Sequence, residues 1–327
     1  MIGYYVHHQG RGHLHRATAL AAAVDEQVVG LSSLPRPEGW RDWDGWVLLD
    51  RDDLGRDPTD RDARGRLHWV PVGDDGLRRR TAQLSAWLDT ARPRLVVVDV
   101  SVEVALLTRL HGIPVATVLQ PGRRTDPAHR LGQDVSDHLV GFWPPSATDG
   151  LLPGVPEQVR RRVHAVGALA RFPVRPPTAR RPGPPRVLVL SGTGGPDLAT
   201  GTVRHPPGWD WTELGTGAAW CDDPRVLIEE SDVVVTHAGQ NALAEVAAAR
   251  RPALVVPQTR PHDEQHVTAA LLAGGSWPVQ VADRMPREGW SERLSSLADL
   301  DADRWAEWCD GRAAQRFAEV VAEGSRP

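Results

Sequence analysis

Four short runs constrain the fold of this chain more than any other feature: Arg94–Asp99 (RLVVVD), Arg186–Leu190 (RVLVL), Ser231–Thr236 (SDVVVT) and Ala253–Val256 (ALVV). Each has a continuous apolar core and gives way to a turn. A strand with one wet face alternates apolar and polar residues. An unbroken run is covered on both faces, as in a parallel sheet between helical layers. Parallel neighbours need crossovers, usually helices. Helical composition follows at His15–Val24, Arg78–Thr90, Val102–His111, Asn241–Ala249 and Glu264–Leu272, and as an amphipathic stretch at Trp305–Glu323. Ile2–His7, Gln27–Leu31, Pro114–Leu119 and Val163–Val166 read as further strands, with shorter ones near Trp46–Leu49, Leu67–Val70 and Val140–Phe142.

The pattern stops once, at Arg171–Arg186 (RFPVRPPTARRPGPPR), where repeated prolines cannot sustain a helix or a central strand. It then restarts. The chain has 327 residues, enough for two domains at roughly 150 residues each. The expectation is an α/β protein of two Rossmann-like doubly wound domains facing across a cleft. The first would span residues 1–172, a linker 173–185, and the second 186–327, with the last helix free to pack back on the first domain. Residues 32–90 carry no recognisable motif.

All 38 basic side chains are Arg. The absence of Lys excludes Schiff-base chemistry, pyridoxal phosphate anchoring and a Walker-type phosphate lysine. A formal net charge of −4 argues against nucleic acid as a partner. Cys221 and Cys309 are too far apart for a CxxC or zinc motif. No signal peptide or transmembrane run is visible, so a cytoplasmic location is expected, with peripheral contact at the inner face of a membrane left open.

Four places could carry chemistry. In HHQGRGHLHRA (His7–Ala17), Gly10 and Gly12 allow a tight turn and close backbone approach, and His13 would sit at the cleft mouth as a general base. It could equally be an exposed turn histidine. Asp99 ends the LVVVD strand facing the same cleft, where it could orient an imidazole or cap the next helix; Ser101 could take the cap instead. SGTGG (Ser191–Gly195) offers backbone N–H groups to phosphate, or is a plain strand-to-helix turn. The strongest signal is Ser231–Gly275. There a strand ends in His237-Ala238-Gly239, and a helix starts near Asn241 with Glu245 one turn on. That helix N-terminus suits a diphosphate, and Glu245 could accept from two ribose hydroxyls.

This block resembles the GT-B glycosyltransferases, nearest to the MurG-type glycosyltransferase family 28, and is similar to the plant UDP-glycosyltransferase signature box. GRGHLHRA, AVGAL and VLVLSGTGG resemble the family's first glycine loop, domain-end strand and second-domain opening. The resemblance implies an inverting transferase moving a hexose from a nucleotide diphosphate sugar, UDP-sugar foremost, to an acceptor hydroxyl. No metal or other cofactor is implied. It makes His13 the base, supported by Asp99. Ser191, Gly192, Thr193, Gly194, His237, Gly239 and Asn241 would hold the diphosphate, and Gly12 and Gln240 would also bind the nucleotide sugar. Glu245 would bind the ribose, Trp220 and Cys221 the base, and Glu264 and Gln265 the donor sugar. Two positions depart from the pattern: Gln240 stands where the plant box has Trp, and Glu264 where MurG has Gln. A nucleotide-sugar hydrolase, an epimerase and a non-catalytic binding protein on the same scaffold are the alternatives. The acceptor, whether small molecule, glycan or lipid-linked, is not legible. Trp40, Trp43, Trp46 and Trp69 lie in the domain expected to bind it, and Arg78–Arg80 and Arg160–Arg162 could meet anionic head groups.

Overall fold

A computed structural model of the chain describes residues 1–53, 59–177, 182–192, 198, 203, 205–215 and 221–323. Its strands are β1 (Ile2–Tyr5), β2 (Val28–Ser32), β3 (Trp46–Leu48), β4 (Leu95–Asp99), β5 (Val115–Leu119), β6 (His138–Gly141) and β7 (Val163–Ala165), followed by β8 (Arg186–Leu190), β9 (Asp210–Leu214), β10 (Val233–Thr236), β11 (Ala253–Val255) and β12 (Val279–Val281). They form two sheets, β3-β2-β1-β4-β5-β6-β7 and β12-β11-β10-β8-β9. Every ladder within them is parallel.

The continuous apolar runs are explained by double-sided burial. On β4, Leu95 and Val97 face one core with Tyr4 and Phe317, whereas Val96 and Val98 face another with Leu84 and Leu88. On β8 and β10, Leu188 and Val234 face a third core and Val187, Val189, Val233 and Val235 a fourth.

In both sheets the strand order reverses once. The reversal falls between β1 and β4 in the first and between β8 and β10 in the second. Chain segments leaving neighbouring strands at such a point diverge to opposite faces and leave a crevice at the carboxyl ends. The segments leaving β1, β4, β8 and β10 are those singled out above for chemistry.

Helix α1 runs Arg11–Ala23, α2 Asp75–Ala91, α3 Val102–Leu110 and α4 Pro127–Val135. The first begins earlier than His15: Gly10 turns the chain at φ 97° and the helix follows at once, so His13 lies inside the first turn. Leu67–Val70 forms no strand. The amides of His68 and Trp69 donate to Glu103 Oε1 rather than to a ladder. The stretch Trp305–Glu323 is two helices, Trp305–Trp308 and Ala313–Glu323, separated where Gly311 adopts φ 82°. The second lies against α1, with Phe317 buried between Tyr4 and Phe142.

The arginine run at 78–80 is not one charged face. Arg78 and Arg79 are exposed, whereas Arg80 is buried against Tyr5 and Ser33. Among the tryptophans, Trp40 and Trp46 pack edge to face, Trp43 is exposed beside Arg41, and Trp69 lines a cavity.

Candidate active site

His13 and Asp99 come together although 86 residues separate them: His13 Nδ1 lies 2.9 Å from Asp99 Oδ1. The carboxylate is fully buried. Arg16, one turn along α1, donates to it through Nε at 2.7 Å and Nη2 at 3.0 Å, and the Tyr4 hydroxyl donates at 3.2 Å. Burial opposes ionisation of Asp99, but Arg16 and His13 outweigh it and hold the carboxyl below the usual range. An ionised Asp99 accepts a hydrogen bond from the Nδ1–H of His13, which leaves the Nε2 lone pair as the imidazole's basic position. Ser101 caps α3 through Val104 N at 3.3 Å, so the cap does not consume Asp99. Between them Val100 adopts φ 70°, a strained conformation for a β-branched residue. Sequence reasoning gave Arg16 and Tyr4 no role at the site. The i, i+3 spacing of His13 and Arg16 was the available signal.

Facing His13 across the cleft is the N-terminus of the helix Gln240–Ala248. Gly12 and Asn241 touch at its edge, for a Cβ on Gly12 would lie 2.7 Å from Asn241 Nδ2. His237 is buried, and its Nδ1 accepts from Gly239 N at 3.0 Å. That bond places the ring proton on Nε2, which lies 2.7 Å from where a Cβ on Gly192 would stand. Burial, with Arg260 nearby, pulls the imidazole down to about 4, so it is neutral at physiological pH. Gln240 Nε2 is buried in this cavity with no hydrogen-bond partner among the described residues. Thr193, Gly194 and Trp220 lie outside the described residues. Ser191, Gly192 and Cys221 line the same cavity.

Three expected contacts are already occupied. Glu245 is buried and receives both Nε and Nη2 of Arg171, at 2.5 and 3.0 Å. Gln265 is buried, with Oε1 accepting from Gln258 N at 2.9 Å and Nε2 3.4 Å from His237 Nδ1. Glu264 lines both this cavity and a neighbouring one, 3.5 Å from Arg124 Nη2; burial outweighs the pull of Arg124 and Arg260 and raises its carboxyl. Arg171 and Arg260 also line the cavity facing His13, and neither was expected there from sequence.

Residues 217–284 match the glycosyltransferase family 28 C-terminal domain. The chain is 27% identical over 314 residues to a UDP-N-acetylglucosamine–N-acetylmuramyl-(pentapeptide) pyrophosphoryl-undecaprenol N-acetylglucosamine transferase of Sorangium cellulosum, covering 80% of this chain and 75% of the relative. The fold matches Acinetobacter baumannii MurG at a TM-score of 0.64 and 15% identity, over 98% of this chain and 99% of that one. It also matches the glycosyltransferase of kitacinnamycin at 0.65 and 17%, over 99% and 98%. The chain is a glycosyltransferase of the GT-B fold, similar to MurG.

This glycosyltransferase transfers a sugar from a nucleotide sugar, and the matched segment contains His237, Gly239, Asn241, Glu245 and Gln265. No helix among the described residues is long and apolar enough to cross a membrane.

Proposed function

We propose that the enzyme moves a hexose from a UDP-sugar to an acceptor hydroxyl by a single inverting displacement with His13 as general base. The observation that supports this best is the His13–Asp99 pair standing opposite the N-terminus of the helix Gln240–Ala248. The acceptor oxygen approaches His13 Nε2, loses its proton there and attacks the anomeric carbon. The C–O bond to the diphosphate breaks on the opposite side, and the electron pair leaves with phosphate. Its growing charge meets the free amides of the helix, the His237 Nε2–H and the Arg260 guanidinium, all oriented beforehand. Glu245 takes the ribose hydroxyls on the oxygen lone pairs that Arg171 leaves unused.

The acceptor enters from the first domain. A cavity of about 420 Å³ beside His7 is lined by Leu67, Trp69, Leu84, Val104 and Leu107 and suits an acceptor with an apolar body. Burial, with His13 and His8 nearby, draws His7 down to about 4, so a neutral ring borders the base.

The reading is tested by incubating the enzyme with a panel of nucleotide sugars and acceptors that join an apolar body to a hydroxyl, with donor-only controls. A product of inverted anomeric configuration is expected by NMR. Release of free sugar at the same rate with and without acceptor would show a hydrolase instead.

A further inference from the structure

Among the described residues beyond this site, two groups of side chains converge as metal ligands do: His8 with Asp52 and Asp53, and His68 with Asp126 and His129. The first already holds cations, since Asp53 receives two bonds from Arg51 and Asp52 pairs with Arg80. The second is different. Imidazoles surround the Asp126 carboxylate. His129 Nδ1 lies 2.5 Å from Oδ2, His68 Nε2 3.5 Å from Oδ1, and His262 Nδ1 3.9 Å from Oδ2. His68 Nε2 and His129 Nδ1 are 3.2 Å apart.

A tetrahedral zinc site with bonds of about 2.0–2.1 Å sets its donor atoms about 3.3 Å from one another. Two of these four separations, 3.2 and 3.5 Å, are near that value; the 3.9 Å from His262, which stands outside the converging set of His68, Asp126 and His129, must close by about half an ångström. The fourth, from His129 to Asp126, needs to open by less than an ångström, to about 3.3 Å. The ligands come from both domains. Asp126 and His129 sit at the start of α4 in an Asp-x-x-His spacing, and His68 comes from the loop above α3. His262 is carried by the second domain on two successive left-handed residues, His262 and Asp263, both at φ 58°. Non-glycine residues keep such a conformation only where the surroundings impose it. Here the His262 carbonyl accepts from Arg123 N at 2.7 Å, and its ring lies 4.6 Å from that of His129.

We propose that His68, Asp126, His129 and His262 bind one zinc-class divalent cation that ties the two domains together on the acceptor side of the cleft. The site adjoins the cavity that also holds His13 and Glu264. A metal on His129 Nδ1 leaves the ring proton on Nε2, where Arg124 Nη1 now lies 2.9 Å away. Arg124 then turns from His129 to Glu264, so occupancy of the site is felt at the donor cavity. The proposal does not depend on which sugar or acceptor the enzyme uses.

The test is titration of the chelator-treated full chain with Co²⁺, then Zn²⁺, with no nucleotide present. One equivalent of Co²⁺ with the intense visible absorption of a tetrahedral site, displaced by Zn²⁺, is expected. His68→Gln and His129→Gln should each weaken Zn²⁺ binding at least tenfold, and so should His262→Gln. Melting curves of the metal-free variants establish that each is folded. Should the others unfold, His68→Gln is decisive, because that side chain is one-third exposed. Failure to bind one equivalent, or equal binding by His68→Gln, overturns the site. Unchanged affinity in folded His262→Gln overturns the bridging role.

Discussion

Gly12 and Asn241 meet across the cleft with no space for a methyl group: a Cβ on Gly12 would stand 2.7 Å from Asn241 Nδ2 and 3.4 Å from Oδ1. One residue belongs to the first turn of α1, the other to the first turn of Gln240–Ala248. Their contact joins the helix that carries His13 to the helix N-terminus opposite it.

Gly12→Ala therefore has two opposed effects. Alanine favours a helix by up to about 1 kcal/mol over glycine, so the melting temperature should hold or rise. The added methyl should keep the cleft from closing and lower kcat/KM about tenfold or more, corresponding to about 1.4 kcal/mol of transition-state stabilisation. Unchanged kcat/KM would show that Asn241 swings aside and that this contact does not gate turnover.

His13→Ala should lower kcat by roughly 10²–10⁴-fold, the range of general-base catalysis, and leave nucleotide affinity intact. Asp99→Asn tests more than orientation. It removes the charge that Arg16, itself buried, depends on. Breaking a buried pair costs about 3–5 kcal/mol, so this variant should melt well below wild type besides losing turnover. Denaturation and steady-state kinetics on the same samples check both. An Asp99→Asn enzyme of wild-type stability would mean that the Arg16 pair is energetically idle.

Glu245→Ala should weaken nucleotide diphosphate binding by roughly 1.5–3 kcal/mol, the range for hydrogen bonds to a charged group, as read by calorimetry. On the proposed reading, a deoxyribose donor removes one hydroxyl from that carboxylate. UDP-sugars should then exceed their dTDP counterparts by about 10–100-fold in kcat/KM, since an unpaired buried acceptor costs about 1–3 kcal/mol. Equal use of both donors would leave Arg171 as the only partner Glu245 needs and remove it from the ribose site.

Acid should destabilise the fold well above the range in which carboxylates protonate. His237 is drawn from an ordinary 6.5 to about 4 by burial. Between those pH values the unfolded chain binds a proton that the folded one refuses. The stabilisation is complete above pH 6.5 and is lost as the pH falls towards 4, up to about 3 kcal/mol at 1.36 kcal/mol per unit. His15, likewise drawn to about 4 by burial, adds in the same direction. Urea midpoints from pH 7.5 to 4.5 should fall, and less steeply in His237→Gln. A flat profile would mean that His237 is protonated in the folded enzyme.

Much of this architecture is written locally. A strand buried on both faces must be continuously apolar, so β4, β8, β10 and β11 declare themselves, and Ser101 caps α3 as its position suggests. The glycine loop before His13 and the HAGQN block are likewise short-range signals. β9 (Asp210–Leu214) escaped notice because it lies at a sheet edge, and its sequence DWTEL lacks the unbroken apolar run. What only the tertiary structure determined is which charges meet. Arg16 reaches Asp99 across 83 residues, Arg171 reaches Glu245 across 74, and His262 reaches Asp126 from the other domain. An ion pair leaves no mark on the periodicity of either segment, because its partners need only the correct end positions in space. Those positions follow from where two parallel sheets reverse their strand order, a property of the whole assembly of strands rather than of any one of them.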